Sequence, residues 1–304
     1  MAVYEHTYKQ YTGALTPEWS RFLIIPRHAY RTVFQSKLFT AFFVICMGYP
    51  LITAILIYLH HNTQALGLLQ LRLNELVPID ASFFQWYLIV QGQFAFSLNL
   101  LVGPPLISRD VSNNALPLYL CRPFSRAEYV VGKMSVILIL LSLITWIPGL
   151  LLFLFQAYLQ GAGWLASNLR IAAAIFVGSW VWIILLALLS LSISAWVKWR
   201  LAASAALFGL FFIPSIFGEV INGLFRTRIG KLLNLSALSQ AAWAGLFGTF
   251  KREAGSIRVR SGGRLTYLEL FDPPLWSSWL MLSLICAACL FLLYRKVRAY
   301  EVVR

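Results

Sequence analysis

Six long runs of apolar residues divide the chain, and each is free of Asp, Glu, Lys, Arg and His. Runs of about 20 apolar residues can cross a bilayer core of roughly 30 Å as helices. Inside that core only helices or closed barrels satisfy their own backbone hydrogen bonds, and barrel strands would alternate apolar and polar residues. The continuous runs therefore predict an all-α polytopic membrane protein with six transmembrane helices, at 38–59, 83–107, 134–157, 171–197, 201–218 and 275–294. The fifth run is the shortest and ends near Pro214.

Composition agrees with this pattern. Of 304 residues, 60% are hydrophobic and 12% are charged, whereas a soluble domain carries about 45–50% apolar and roughly 25% charged residues. The net charge of +14 would suggest nucleic acid as the partner of a soluble protein. Here the basic residues flank the apolar runs, where Lys and Arg bind anionic head groups. We therefore expect membrane lipids, and no nucleic acid, as partners.

The distribution of Lys and Arg predicts an orientation. Fifteen of these 25 residues lie on the side that holds both termini, and eight of the other ten lie in the long connection 219–274. Long connections are translocated largely regardless of their charge, so the shorter segments decide. Both termini are predicted to be cytoplasmic, and 219–274 is predicted to be a large extracytoplasmic loop. Residues 38–304 form the six-helix transmembrane domain in this interpretation.

Residues 1–37 form a cytoplasmic N-terminus that includes a helix of another kind over 16–37. Thr16 can cap this helix, and Pro17 suits its first position. An aromatic face and a basic face are expected from Trp19, Arg21, Phe22, Arg27, Tyr30 and Arg31. Such an amphipathic helix lies in the membrane interface, although a cytoplasmic helix packed on a partner would also fit. Pro26 should kink or split it.

The connection 219–274 has two different halves. Residues 219–250 are still fairly apolar and could form short helices that dip into the outer leaflet. Residues 251–267 are basic and contain glycines, with alternation at Ile257 and Val259. This second half predicts a small exposed hairpin or a mobile loop.

Motifs of enzymatic chemistry are missing from the sequence. It contains no HExxH, no GxSxG and no Walker A sequence, so we expect no catalytic residue, no metal and no cofactor in this chain. The adjacent His60 and His61 point to different helix faces and make poor joint ligands. Gln91, Gln93 and Asn99 are polar residues inside the second run. They either hydrogen-bond neighbouring helices or line a substrate path.

The connection 107–133 combines charged residues with an apolar patch. Ser125 can cap a helix that starts near Arg126, and Glu128 stands where a capping box places its acidic residue. We expect a short helix, a sharp turn and then the third span. Such an element suits docking to another protein, although an ordinary structured loop is the alternative. The candidate docking residues are Arg109, Asp110, Leu116, Tyr119, Arg122, Pro123, Arg126, Glu128 and Lys133.

This connection resembles the corresponding segment of the membrane subunits of type-2 ABC exporters. In that family an acidic residue is followed by a short apolar stretch, a Pro-x-Ser/Thr-Arg turn and a Gly-Lys pair that enters the third span. Here those positions are Asp110, Ala115-Leu116-Pro117, Pro123, Ser125-Arg126 and Gly132-Lys133. The order of a basic N-terminal helix, six spans and a long outer segment before the last span is also similar.

The resemblance implies a permease subunit of the bacterial cytoplasmic membrane. Two copies, or one copy and a homologous permease, would enclose a path. Two separate ABC ATPase subunits would bind ATP and Mg, and residues 107–133 would be the coupling loop, with the helix at 16–37 beside it. The basic outer loop departs from the family pattern, because many relatives carry less charge there.

Two other functions fit the sequence less well. A structural or assembly subunit of a larger membrane complex would show the same spans. An integral-membrane enzyme acting on lipid would need a polar catalytic cluster at membrane depth, and no such cluster is visible in the sequence.

Overall fold

The computed structural model describes residue 13 and residues 24–62, 78–113, 126–251, 254–261 and 264–296, with backbone alone at residue 126 and in the two strands. Most of this part of the chain is α-helical. The helices are α1 (Ile24–Phe34), α2 (Lys37–His61), α3 (Ala81–Val102), α4 (Pro105–Ser112), α5 (Arg126–Ile144), α6 (Trp146–Gln160), α7 (Ala162–Ser167), α8 (Leu169–Trp196), α9 (Arg200–Phe225), α10 (Leu235–Phe247) and α11 (Leu275–Lys296). A 3-10 helix spans Ile229–Leu233, and the strands are β1 (Ala254–Ser261) and β2 (Arg264–Phe271).

Five stretches of helix are long and apolar enough to cross a membrane: α2, α5 and α6 taken together, α8, α9 and α11. The protein is therefore an α-helical membrane protein. The 22-residue α3 covers most of the second predicted run but is not one of the five. It contains Gln85, Gln91, Gln93 and Asn99, which lower its hydropathy.

Helix α8 is the centre of the bundle. It contacts α3, α4, α5, α6, α9, α10 and α11, and most of its length is buried. By contrast, only 22% of the apolar stretch of each of α2, α9 and α11 is buried. Large apolar side chains such as Leu51, Phe217 and Leu284 face outward on these helices. Lipid tails are as apolar as leucine, so such side chains suit a bilayer-facing surface.

Two predicted spans are broken rather than continuous. The second run was predicted as one helix over 83–107, but α3 ends at Val102 and α4 begins at Pro105. The third run is split at Thr145, between α5 and α6. Prolines explain both breaks, because a proline lacks the N–H that would continue the helical hydrogen bonds. Pro104 and Pro105 follow α3, and Pro148 lies in the first turn of α6.

Helix α9 extends past the predicted end of the fifth run at 218. It passes through Pro214, ends at Phe225, and is followed by Arg226 in the left-handed conformation at φ 50°. The chain then folds back closely, because a Cβ added to Gly218 would lie 2.3 Å from the carbonyl oxygen of Gly230. The side-chain oxygen of Asn222 accepts a hydrogen bond from the Gly230 N–H at 2.7 Å. Two glycines thus allow the 3-10 helix to lie against α9.

Helix α10 lies within the bundle, although it belongs to the long connection before α11. It packs against α3, α8 and α11. Trp243 is buried between Gly92 and Gly178, and its ring N–H donates a hydrogen bond to the Gly178 carbonyl at 2.8 Å. Arg170 holds the C-terminal end of α10 by donating to the carbonyls of Gly245 and Leu246. The helices expected within 219–250 therefore include one that is part of the core.

The second half of the same connection forms an antiparallel hairpin. Strand β1 pairs with β2, and Ile257 lies opposite Leu268 while Val259 lies opposite Thr266. Of the two alternatives for residues 251–267, the hairpin is confirmed.

Candidate functional site

A buried ion pair joins the two ends of the connection between α4 and α5. Lys133 Nζ lies 2.8 Å from Asp110 Oδ2, and both side chains are at least 85% buried. The hydroxyl of Tyr129 donates a hydrogen bond to the same carboxylate oxygen at 2.7 Å. Tyr129 and Lys133 lie four residues apart, on one face of α5. Charged residues near the two ends of the connection 107–133 thus meet at one point.

Helix α4 is in turn held against α8 by one serine. The hydroxyl of Ser194 accepts hydrogen bonds from the N–H groups of Ile107 and Ser108, at 3.1 and 2.8 Å, and donates to the Pro104 carbonyl. The Ile107 N–H lies in the first turn of α4, where helical N–H groups have no intrahelical acceptor. Ser194 therefore caps α4 from another helix and fixes the direction in which α4 leaves the bundle.

Helix α1 lies beside the same region. Its Tyr30 hydroxyl donates to the Val136 carbonyl in α5 at 2.9 Å, and Ile25 and Pro26 are buried. Arg27 and Arg31 are exposed. The basic face and the packed face are therefore separate, as expected for an amphipathic helix. Pro26 stands in the first turn of α1, where a proline is tolerated.

The other predicted site residues divide into two groups. Arg109 is exposed at the surface of α4, and Glu128 is half-buried in the first turn of α5, which begins at Arg126 as predicted. Outside the described residues lie Leu116, Tyr119, Arg122 and Pro123 of the docking segment and Trp19, Arg21 and Phe22 of the N-terminal segment.

The three polar residues of α3 have different surroundings. Gln91 and Asn99 are buried, and their amide N–H groups donate to carbonyls of other helices. Asn99 donates to Leu186 in α8 at 3.3 Å. Gln93 is exposed on the outer face of α3. Helix-to-helix hydrogen bonding, one of the two roles considered for these residues, describes Gln91 and Asn99, whereas Gln93 faces the surroundings of the bundle.

Gln91 contacts two helices at once. Its side-chain nitrogen lies 3.0 Å from the Cys46 carbonyl in α2 and 2.5 Å from the Ile144 carbonyl at the end of α5. Each of these carbonyls stands four residues before a proline, namely Pro50 in α2 and Pro148 in α6. Without a proline N–H to bond them, both carbonyls need another donor. Gln91 supplies it to both.

A third proline-freed carbonyl is bonded in a similar way. Pro104 leaves the Leu100 carbonyl of α3 without its helical donor. The Ser204 hydroxyl of α9 donates to that carbonyl at 3.1 Å. Polar side chains that replace lost backbone hydrogen bonds are what makes prolines tolerable in membrane helices.

At the opposite end of the bundle from the Asp110 cluster, Asp272 binds two cations just before α11. Its Oδ1 lies 2.9 Å from Arg228 Nη1 and 2.7 Å from Lys231 Nζ. Burial raises the pKa of Asp272, but the hydrogen bonds and charges of Lys231 and Arg228 outweigh it and leave that pKa below its ordinary value. The carboxylate therefore stays ionised at neutral pH and ties the 3-10 helix to the start of α11.

Within the described ranges, no three His, Cys, Asp or Glu side chains lie close enough to hold a metal ion. His61 bonds the Ile57 carbonyl with one ring nitrogen and the side-chain oxygen of Gln160 with the other, each at 3.0 Å. Cys46 and Cys289 are buried free thiols, and Cys286 is half-buried.

Several residues of this arrangement were missed from the sequence. Tyr129 carried a usable signal, because it precedes Lys133 by four residues and shares its helix face. Pro50 and Pro148 also carried one, since each frees a carbonyl inside an apolar run. Ser194 had no such signal, because serine is common in membrane helices and only the packing of α4 on α8 gives it a role.

A scan against models of known protein families finds no match. A comparison with curated proteins likewise finds no match.

Proposed function

We propose that this chain is the membrane permease subunit of a type-2 ABC exporter in a bacterial cytoplasmic membrane. It carries no ATPase site of its own in this proposal. Two ABC ATPase subunits bind ATP and Mg, and a second copy or a homologous permease completes the path. The chain converts the movement of the ATPases into movement of its helices.

The observation that carries the proposal is the Asp110–Lys133 ion pair. Both residues belong to the segment that resembles the coupling region of these permeases, and they stand at its two ends. Their 2.8 Å contact holds the ends of the connection together at the base of the bundle. A loop fixed at both ends by a buried contact transmits a push to the helices, whereas a loosely tethered loop would absorb it.

The displacement caused by the ATPases would be transmitted through hydrogen bonds between helices. Movement of the ATPases would press on residues 107–133 and displace α4 and the start of α5 together. Ser194 connects α4 to the central helix α8, and Tyr30 connects α5 to α1. The displacement would therefore reach α8 and α1 in the same step. In this mechanism the residues of the chain bind and move, and they perform no chemistry.

The proposed layout has six spans with both termini in the cytoplasm. Helix α3 is the sixth span, because it is 22 residues long and packs between α2 and α8. The nitrogens of its two buried amides, Gln91 and Asn99, donate to carbonyls of neighbouring helices, which lowers the penalty for placing them in the bilayer. The Asp110 cluster then faces the cytoplasm, and Asp272 and the hairpin face the opposite side.

Cysteine labelling tests this orientation. Single cysteines replace Ser112 and Ser261 in a background without Cys121, and intact cells are treated with an impermeant maleimide. We expect labelling at position 261 and none at 112 until the membrane is opened. Labelling of 112 alone in intact cells would reverse the orientation and remove the basis for ATPase docking at this loop.

Gln93 supports the presence of a second permease. It is an exposed amide at the middle of α3, where the hydrocarbon of a bilayer offers no hydrogen-bond partner. Such a residue is better placed against another protein chain or a water-filled path than against lipid. The face of α3 that carries Gln93 is therefore the proposed surface toward the second copy.

The proposed function is tested by substitutions at two candidate docking residues of the connection 107–133, Tyr119 and Arg122. Tyr119→Ala and Arg122→Ala should each reduce retention of the ABC ATPase by a tagged chain, and Tyr119→Ala by roughly thirtyfold in affinity. The physical reason is that an aromatic anchor within a polar rim contributes most to such interfaces. The measurement is a quantitative pull-down from detergent-solubilised membranes.

Ser167→Ala is the control, because Ser167 is exposed in α7, outside residues 107–133, and its hydroxyl donates to the Gly163 carbonyl of its own helix. Expression level and size-exclusion profile should stay unchanged for all three variants. Wild-type retention of the ATPase by both Tyr119→Ala and Arg122→Ala would contradict the coupling role of this loop.

A further inference from the structure

Two prolines, one in α2 and one in α6, free backbone carbonyls that meet at one residue of α3. Pro50 interrupts the hydrogen bonding of α2, and Pro148 interrupts it where α5 gives way to α6. The two carbonyls that these prolines free, those of Cys46 and Ile144, converge on the side-chain nitrogen of Gln91. The two interruptions of backbone hydrogen bonding therefore lie next to each other, at the side chain of one residue of α3.

We infer that Gln91 connects two hinge points, at Pro50 and Pro148, into a common hinge. The segments of α2 and α6 that follow these prolines move about this hinge as one unit. Proline breaks are where membrane helices kink, because the backbone there lacks one hydrogen bond of its ladder. A single side chain that bonds both freed carbonyls keeps the two kinks together while each helix bends. This inference goes beyond coupling to an ATPase and does not depend on it.

A second contact ties the far ends of the two moving segments. His61 at the end of α2 lies 3.0 Å from the side-chain oxygen of Gln160 at the end of α6. The segments after Pro50 and Pro148 are thus joined at the hinge by Gln91 and at the tip by His61. Two joined points make the pair move as one body, since independent bending would break one of the contacts.

Space for this movement lies between α2 and α6, beside Pro50 and Pro148. A groove of about 340 Å³ is lined by side chains of α2 and α6. Its lining is wholly apolar and consists of Met47, Pro50, Leu51, Ala54, Pro148, Leu151, Leu152 and Phe155. Few contacts resist a change of bend on this side, because voids lose the dispersion contacts that otherwise hold packed surfaces in place.

The two polar atoms of the Gln91 amide have different surroundings. Its side-chain oxygen is buried without a hydrogen-bond partner among the described residues, while its nitrogen bonds both carbonyls. A buried polar group left in this state is retained at a free-energy cost. The two hydrogen bonds of the nitrogen offset part of that cost.

The test is a rescue experiment on purified protein in lipid bicelles. Gln91→Leu should shift the unfolding equilibrium about tenfold toward the unfolded state, because two buried carbonyls lose their donor. In a Pro50→Ala, Pro148→Ala background the same change should have at most about a twofold effect, since each alanine N–H then bonds the carbonyl four residues before it. Gln93→Leu, two residues away and exposed, is the control and should show no dependence on the background.

Equal effects of Gln91→Leu in both backgrounds would overturn the inference. If Gln91→Leu fails to fold in the natural background, its recovery in the alanine background supports the hinge, and failure in both contradicts it.

Spin labels measure the motion itself. The distance between Tyr58 and Tyr158, both exposed near the tips, should be narrowly distributed. The distance from Tyr58 to Trp276 on α11 should be broad, and it should narrow in the alanine background. An unchanged distribution would contradict the hinge.

Discussion

Replacing Asp110 with alanine is expected to destabilise the folded chain by about 3–5 kcal/mol. The change leaves the Lys133 ammonium, whose side chain is 10% exposed, without the carboxylate that lies 2.8 Å away. Removing a carboxylate from beside a buried ammonium takes away favourable charge interaction that the buried site cannot replace with water, and this loss is costly. The hydrogen bond that the Tyr129 hydroxyl donates to this carboxylate is lost as well.

The double variant Asp110→Ala, Lys133→Met should be more stable than Asp110→Ala alone. It removes both charges and keeps an apolar side chain along the path of the lysine. The measurement is the free energy of unfolding in detergent micelles, followed by far-UV circular dichroism. Arg109→Ala, on the exposed face of the same helix, is the control and should change stability by less than about 0.5 kcal/mol. Additive effects of the two substitutions would show that the ion pair does not hold the junction together.

Trp243→Ala is expected to have a similarly large effect, about 3–5 kcal/mol. The ring is 2% exposed and packs edge-on against Trp182 at a centroid distance of 5.7 Å. It also fills the slot that Gly92 and Gly178 leave open between α3 and α8. Removing it opens a cavity and leaves the Gly178 carbonyl without the ring N–H that bonds it.

The matched control is Trp276→Ala at the start of α11, where the ring is 67% exposed. It should change stability by less than about 0.5 kcal/mol in detergent. Thermal unfolding followed by tryptophan fluorescence compares the two variants. If both have the same small effect, α10 is not part of the core, and the segment between α9 and α11 does not help to fix the bundle.

The positions of most helices could be predicted because a membrane-spanning helix is determined by a local run of apolar residues. Helix α2 begins at Lys37 and α5 begins at Arg126, close to the predicted starts, since apolar runs and capping residues act locally. The continuation of α9 to Phe225 was missed, because Pro214 favours a stop unless the bilayer and neighbouring helices keep the chain helical. The insertion of α10 into the core was missed because it depends on slots formed by glycines of other helices.

The residues of the candidate site could be predicted from the sequence, but the contacts between them could not. The charges of Asp110 and Lys133 were visible in the sequence, but their pairing across 23 positions needs α4 and α5 to come together. Similarly, Gln91 was recognised as a polar residue in a span. Its bonds to Cys46 and Ile144 follow from three helices meeting at one depth, which no local pattern specifies.

Isolation of the tagged chain from its native membranes in mild detergent tests the proposed function most directly. Mass spectrometry identifies the proteins that remain bound, native mass measurement gives their stoichiometry, and ATP hydrolysis is assayed with Mg. The expected result is a complex of two permeases and two subunits that carry a Walker A sequence, with ATPase activity that disappears when the Walker A lysine is replaced. Isolation of this chain with no ATPase bound, or ATP hydrolysis by the chain alone, would contradict the proposed role of an ABC exporter permease.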